Sequence, residues 1–234
     1  MEAIVICTVN NPGLSILLES IRVYAPNIPI YLSTNNIEQC SNDLISFPNT
    51  GKTFGEAYNA AIDRAFKGGW QSVIVCNDDV VLTPNSFKVM KEDWDALNKS
   101  KMLIDAQAKV GFLGARSDYV LPEQNIRFPV EGDSIIALRY ESESYVKPTG
   151  VIAPIFASLS KQAWQDARFP HTNWYSDNIM CDDLSKKGYH HFVSRSYVHH
   201  AGSQTVGTDF AKCHEEPREW IKANRPDIYK DYYG

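Results

Sequence analysis

The sequence has no apolar run approaching the ~18 to 20 residues that a membrane-spanning helix requires, so no transmembrane segment is expected. Its opening stretch, MEAIVICTV, carries an acid and no basic residues ahead of the apolar run, which is not the pattern of a secretory leader. These two absences lead us to expect a cytoplasmic chain. There is no C-x-x-C, and the five cysteines (Cys7, Cys40, Cys76, Cys181 and Cys213) are odd in number and well separated. That argues against a disulfide framework and against a thiolate zinc site, and leaves buried thiols as the simplest reading. There is no internal repeat, no low-complexity tract and no excess of basic residues. With a net charge of −5, a nucleic-acid partner is not favoured on electrostatic grounds, although a basic groove could still be supplied locally.

A further absence concerns Gly51-Lys52-Thr53, the last three letters of a nucleotide-triphosphate loop. Such a loop places its first glycine at position 46, where Ser46 stands. Pro48 also removes a backbone N–H from the turn. The phosphate-cradling reading fails, and the stretch must be explained by its surroundings.

What is present is a core-forming chain of 234 residues, 44% of them hydrophobic, which suits a single domain with a tail. Short apolar runs alternate with helical patterns, the signature of a largely parallel sheet covered by helices. AIVICTV reads as a buried strand. Asn11-Pro12-Gly13 then opens a helix with Leu14, Leu17, Leu18 and Ile21 on one face. IPIYLSTN and DLISF are the next strands. A helix follows with Ala57, Ala61 and Ala65 at spacing four, small enough for its backbone to approach the sheet. SVIVCNDDVVL is read as a fourth strand, and a helix from about Asn85 carries Phe87, Met90, Trp94 and Leu97 on its buried side. KVGFLGARS, VIAPIFASLS and HHFVSRSYVHH are later strands. The region from Ser117 to Pro148 reads as a mixed or antiparallel hairpin over the site. After Thr208 the chain is charged and aromatic, with Pro217 and Pro226 each able to start a short helix.

In open α/β sheets, ligands bind beyond the carboxyl ends of the strands, so polar residues directly after an apolar run carry the chemistry. Asn77-Asp78-Asp79 lies at such a place. Adjacent carboxylates repel and lose solvation there, and a divalent cation would offset both effects. A turn cap or a solvated pair is the competing explanation.

NTGKTFGEAYNAAI followed by VIVCNDDVVLTPNSF resembles the core of family-2-like glycosyltransferases with the GT-A fold. In that pattern a strand runs into N/D-x-D, then apolar residues, then a proline, and Asn77, Asp79, Val81 and Pro84 occupy those places. The upstream N-x-G and A-x-N elements are matched by Asn49, Gly51, Ala57 and Asn59. HAGSQT is similar to the stretch that closes the catalytic domain in part of the family, and WYSDNIMCDDLSKKGYHHFV is similar to its acid-bearing helix. It is the order of these pieces over roughly residues 1–206 that makes the resemblance specific.

The resemblance implies a GT-A, Rossmann-like α/β fold with a mixed, mostly parallel sheet and helices on both faces. Residues 1–208 would form the catalytic domain, with 1–115 the nucleotide-sugar half and 116–208 the acceptor half, and 209–234 a helical tail. The implied activity is metal-dependent, inverting transfer from a nucleotide-diphosphate sugar to an acceptor hydroxyl. Asp79 would be the principal ligand of a Mn²⁺ or Mg²⁺ ion, and His200, or His199 after a one-residue slip, would complete it. Asp78 or Asn77 would contact the ribose or metal-bound water. Thr8, Val9 and Asn10 would meet the base. Ser33 to Asn36, including Asn35, would lie near the ribose or base. Gly51 and Asn59 would wall the donor pocket, with Lys52 solvated in its loop or reaching a diphosphate. Aligned through Gly188, the family's acidic pair falls on Ser176-Asp177, which makes Asp177 the general base, with Asp182 and Asp183 as alternatives. Trp174-Tyr175 could stack on a sugar, and Arg116 could reach a phosphate.

Other classes remain open at this stage. A nucleotidyltransferase would carry a glycine- and arginine-rich loop where CTVNNPGLS has one glycine and no basic residue. A non-catalytic nucleotide-sugar-binding module, or a transferase acting on modified DNA bases, shares the same pattern. A zinc site could draw on His190, His191, His199, His200, Cys213 and His214, but each His-His pair on a strand can give one ligand to a single site.

Overall fold

The computed structural model describes residues 2–9, 11–39, 41, 43–129, 136–138, 145–202 and 209–234. The chain begins with β1 (Glu2–Cys7), α1 (Leu14–Tyr24), β2 (Ile30–Thr34), β3 (Ile45–Pro48) and α2 (Phe54–Lys67). It continues through β4 (Ser72–Asn77), β5 (Val80–Leu82), α3 (Ser86–Asn98), α4 (Lys101–Asp105) and β6 (Lys109–Arg116). Next come β7 (Arg127–Pro129), β8 (Ile136–Leu138), β9 (Lys147–Thr149), β10 (Phe156–Ser160), α5 (Lys161–Asp166), α6 (Ser176–Ser185) and β11 (Tyr189–His200). Three short helices, α7 (Phe210–Glu215), α8 (Arg218–Asn224) and α9 (Pro226–Tyr233), end it.

Among the described residues, the main sheet runs β3-β2-β1-β4-β10-β6-β11-β5, with β9 also paired to β11. The β3-β2-β1-β4 half is parallel, as is the β6-β11 pair, and β10 runs antiparallel between β4 and β6. The expected mixed, mostly parallel α/β sheet is thus present. Alternation along the strands divides the core into two layers. Ala3, Val5, Val73 and Val75 face α2, α5 and α6, while Ile4, Ile6, Ile74 and Cys76 face α1 and α3. Ala57, Ala61 and Ala65 are buried against the sheet as their spacing predicted.

Two sequence expectations need correction. SVIVCNDDVVL is two strands, because the chain turns at Asp78-Asp79 and Val80–Leu82 crosses to pair antiparallel with β11. VIAPIFASLS becomes a strand only at Phe156, since Pro154 has no N–H to give a ladder. The Ser117–Pro148 region does contain an antiparallel hairpin, β7-β8. Residues 130–135 and 139–144 of that region lie outside the described residues.

Pro226 opens α9 as expected, and Pro217 sits at the N-cap of α8. Among the described residues no helix is long and apolar enough to cross a membrane.

Candidate active site

The pairing of β5 with β11 brings the site together. Val80 lies opposite His200 and Val81 opposite His199, and the Ala201 N–H donates to the Asp79 carbonyl at 3.0 Å. Strand alternation then sends the two histidines to opposite faces. His200 is buried beside Asp79, with Nε2 3.0 Å from Oδ1. His199 is half-exposed and pairs through Nδ1 with Asp118 Oδ2 at 2.7 Å. The one-residue ambiguity is therefore resolved in position: His200 is the histidine that faces Asp79.

Tyr119 orients the His200 ring. Its carbonyl can only accept, so Nδ1–H donates to it and Nε2 is left directed at Asp79 and at Asn77 Nδ2, 3.5 Å away. Burial works against charge on this imidazole, but the Asp79 carboxylate, helped by the Tyr119 carbonyl and Asp118, outweighs it and raises the proton affinity. Asp118 supports the strand end from behind. It accepts from the His200 N–H at 3.1 Å and from Ser117, and pairs with Arg127 at 3.3 Å. Burial would raise its proton affinity, but the His200 N–H and His199 hold it below the ordinary carboxylate value.

Asp78 is buried on the other side of the turn. Asn11 Nδ2 donates to its Oδ1 at 3.1 Å, and the Thr8 hydroxyl also bonds it. Burial nevertheless pushes this carboxyl up, with Asp79 adding repulsion. Its Oδ2 is buried without a hydrogen-bond partner among the described residues. A buried acceptor left unmade is costly, so this oxygen marks a place where a ligand donor would be favoured.

These groups lie along a pocket of about 700 Å³. Its walls include Val9, Gly51, Lys52, Asn77, Asp78, Asp79, Asp177 and His200. Gly51 is there because a close approach demands it: a Cβ would stand 2.3 Å from the Ala57 backbone N. The turn is closed by Asn49 Oδ1, which accepts from the Gly51 N–H at 3.1 Å. Thr53 caps α2 by accepting from the Glu56 N–H at 3.2 Å, while Glu56 reaches back to the Lys52 N–H at 2.7 Å.

Asp177 stands at the pocket wall in the first turn of α6. Burial pushes its carboxyl up to about 6, against the bond that its Oδ1 accepts from the Asn178 N–H at 3.0 Å. Asp182 and Asp183 lie elsewhere. Lys186 (2.7 Å) and Arg225 hold Asp182, and Arg225 reaches Asp183 at 2.9 Å.

Several expected contacts are placed differently. The Asn59 amide is spent on Phe169, donating to its carbonyl at 2.8 Å and accepting from its N–H at 3.2 Å, so it clamps α2 instead of facing the pocket. Asn35 is exposed and is not among the pocket walls. Thr8 is buried behind the wall. Asn10 and Ser203–Thr205 lie outside the described residues. Arg116 is buried, its Nε donating to the Ser194 carbonyl at 3.0 Å, and is not a pocket residue. The histidines do not converge on a zinc site: His191 is locked in the core between the Phe112 N–H and the Cys181 carbonyl, and His214 bonds Tyr175.

Sequence reasoning missed Tyr58, whose hydroxyl donates to the Cys76 carbonyl at 2.8 Å on the pocket floor. It also missed Asp118 and Tyr119, although polar residues directly after the β6 run carry the same strand-end signal as Asp78 and Asp79.

With this geometry in view, the chain can be compared with known proteins. No protein-family profile and no curated protein sequence matches it. Among solved structures it is similar to residues 1–349 of S. aureus TarS in complex with UDP-GlcNAc. That match has a TM-score of 0.56 at 12% identity over 99% of this chain and 71% of the other. TarS 1–349 in a second crystal structure gives 0.53 at 13%, over 99% and 70%. A longer form of S. aureus TarS gives 0.52 at 14%, over 98% of this chain and 41% of that one. At such identities the likeness is one of fold, and the fold is GT-A.

Proposed function

We propose that this protein is a glycosyltransferase that moves a sugar from a nucleotide-diphosphate sugar to an acceptor hydroxyl, with inversion at the anomeric carbon. The observation that carries the reading is that one pocket holds the Asp79-His200 pair at a strand end and the Asp177 carboxylate on another wall. The TarS structure with UDP-GlcNAc makes a uridine-diphosphate sugar the donor to try first.

The residues divide the work. Val9 lines the base end, and Asp78 Oδ2 is the acceptor that a ribose hydroxyl would satisfy. Asp79 Oδ1 and His200 Nε2 offer a hard oxygen and an imidazole nitrogen to one point. Among the described residues no group of three or more His, Cys, Asp or Glu side chains is arranged around a metal, so a cation there would draw its other oxygens from the diphosphate and water. When bound, Mn²⁺ or Mg²⁺ would neutralise charge growing on the departing diphosphate. Asp177 takes the acceptor proton as the hydroxyl oxygen bonds to the anomeric carbon. The bond from that carbon to the diphosphate oxygen breaks, and its electron pair leaves with the nucleotide. A carboxyl with a value near 6 is matched to this task at neutral pH. In this reading residues 1–115 supply most of the donor wall, and 116–208 supply the base and His200.

Initial-rate assays of UDP-sugar turnover on wild type and Asp177→Asn test the assignment. Donor binding should persist while turnover falls by about a thousandfold, the scale of a lost general base. Unchanged turnover would remove Asp177 from the mechanism.

A further inference from the structure

The C-terminal helices pack against the candidate base. Tyr175, two residues before Asp177, has φ of 61°, in the left-handed region that non-glycine residues hold only when their surroundings enforce it. The groups that hold it include residues of the tail, beside the Ser176 hydroxyl, which donates to the Thr172 carbonyl at 2.7 Å. The Tyr175 hydroxyl is 2.7 Å from His214 Nδ1 on α7, and its ring lies 4.4 Å, centroid to centroid, from Tyr232 on α9. Tyr233 locks His214 in turn by donating to its carbonyl at 2.6 Å.

The tail is itself anchored at both ends of this contact. Arg225 and Asp227 join Asp182, Asp183 and Lys186 in one ion-pair cluster on α6. At the other end Glu216 accepts from the Asn173 side chain at 3.3 Å, and Asn173 Oδ1 accepts from the Phe54 N–H at 2.9 Å. Asp177 has no comparable anchor of its own: among the described residues it forms no ion pair, and its Oδ1 accepts from the adjacent Asn178 N–H. Its direction therefore follows the backbone at the start of α6, where Tyr175 meets the tail and the Ser176 hydroxyl donates to the Pro170 and Thr172 carbonyls.

We propose that the tail is a working part of the catalytic site, in which His214 and Tyr232 hold Tyr175 in its left-handed conformation and thereby aim Asp177 into the pocket. Tyr175, His214 and Tyr232 are positioning residues. The inference rests on the reading of Asp177 as the proton acceptor. The titratable groups that feel the charge of that carboxyl are Cys181 on its own helix and Tyr232 from the tail. The charge of Asp182 is answered by Lys186 and Arg225, and burial is the largest influence on Asp177.

The test follows the Asp177 carboxyl by ¹³C NMR titration, beside initial rates of UDP-sugar turnover and donor binding, all on the full chain. Wild type should titrate near 6. His214→Ala and Tyr232→Ala should move the midpoint down towards ordinary carboxylate values and lower kcat by about tenfold or more, with donor Kd unchanged. His214→Asn, which keeps an acceptor near the Nδ1 position, should recover most of both. Tyr175→Phe removes only the hydroxyl and leaves the ring against Tyr232, so it carries the same test if an alanine variant does not fold. Folded variants with wild-type midpoint and wild-type kcat would overturn the proposal. A moved midpoint in a protein that turns over no nucleotide sugar would keep the tail's role and remove the transferase reading.

Discussion

Asp78 and Asp79 are neighbours in sequence with different surroundings. Asp79 faces the imidazole of His200, whereas Asp78 is held by Asn11 and Thr8 and keeps one oxygen without a partner. The pair could be picked out in the sequence because two acids directly after a buried run are costly unless something answers their charge. Asp118, two residues beyond Arg116, carries the same strand-end signal. At the same scale, Asp177 gives a prediction with a definite sign. Its folded value of about 6 lies above its ordinary value of 3.8, so the native state keeps a proton that the unfolded chain has released. The stability it contributes is full below that ordinary value and is lost as pH rises through about 6. Asp177→Asn should therefore stabilise the protein at pH 8 by about 1 to 2 kcal/mol in urea unfolding, while turnover falls about a thousandfold. In wild type, kcat/KM should rise with pH through about 6 and then level off, because the base must be ionised.

At the scale of elements, Gly51 and Asp93 are opposite cases. Gly51 could be read from its motif, and the structure supplies the reason: the loop backbone lies against the first turns of α2. Gly51→Ala should displace that loop and weaken donor binding by about tenfold, or about 1.4 kcal/mol, measured calorimetrically. Asp93 gave no signal. It lies on the buried side of α3 among Met90 and Trp94, where an apolar residue is expected, yet it is 2% exposed. It accepts from the Ser194 hydroxyl at 2.7 Å, the Arg195 N–H at 2.8 Å and the Arg195 guanidinium at 2.6 Å. These bonds tie α3 to β11, the strand that ends at His200. Asp93→Ala should cost about 2 to 3 kcal/mol of stability in denaturant titration, since several charge-assisted bonds are lost together. The break of the fourth strand at Asp78 was also hidden, because the partner of β5 lies more than a hundred residues later in β11.

At the scale of the molecule, the alternation of apolar runs and helical patterns was enough to read an α/β sheet covered on both faces. The antiparallel insertion of β10 and the docking of the tail depend on contacts between distant segments, and no local periodicity encodes them. The tail was legible as helices and not as a partner of the pocket. Arg225→Ala should release it: in native-state hydrogen exchange, amides of α8 and α9 should lose protection together with those of the last turn of α6.

The central claim, that the strand-end acids and His200 form a metal-assisted donor site, is tested most directly by nucleotide-sugar binding. Thermal shifts of wild type and Asp79→Ala should be measured with UDP-, GDP-, TDP- and CMP-sugars, each with and without Mn²⁺. The account predicts that at least one sugar nucleotide raises the Tm of wild type only when Mn²⁺ is present, and that Asp79→Ala loses the shift. Stabilisation that needs neither the metal nor Asp79, or none with any donor, would contradict it.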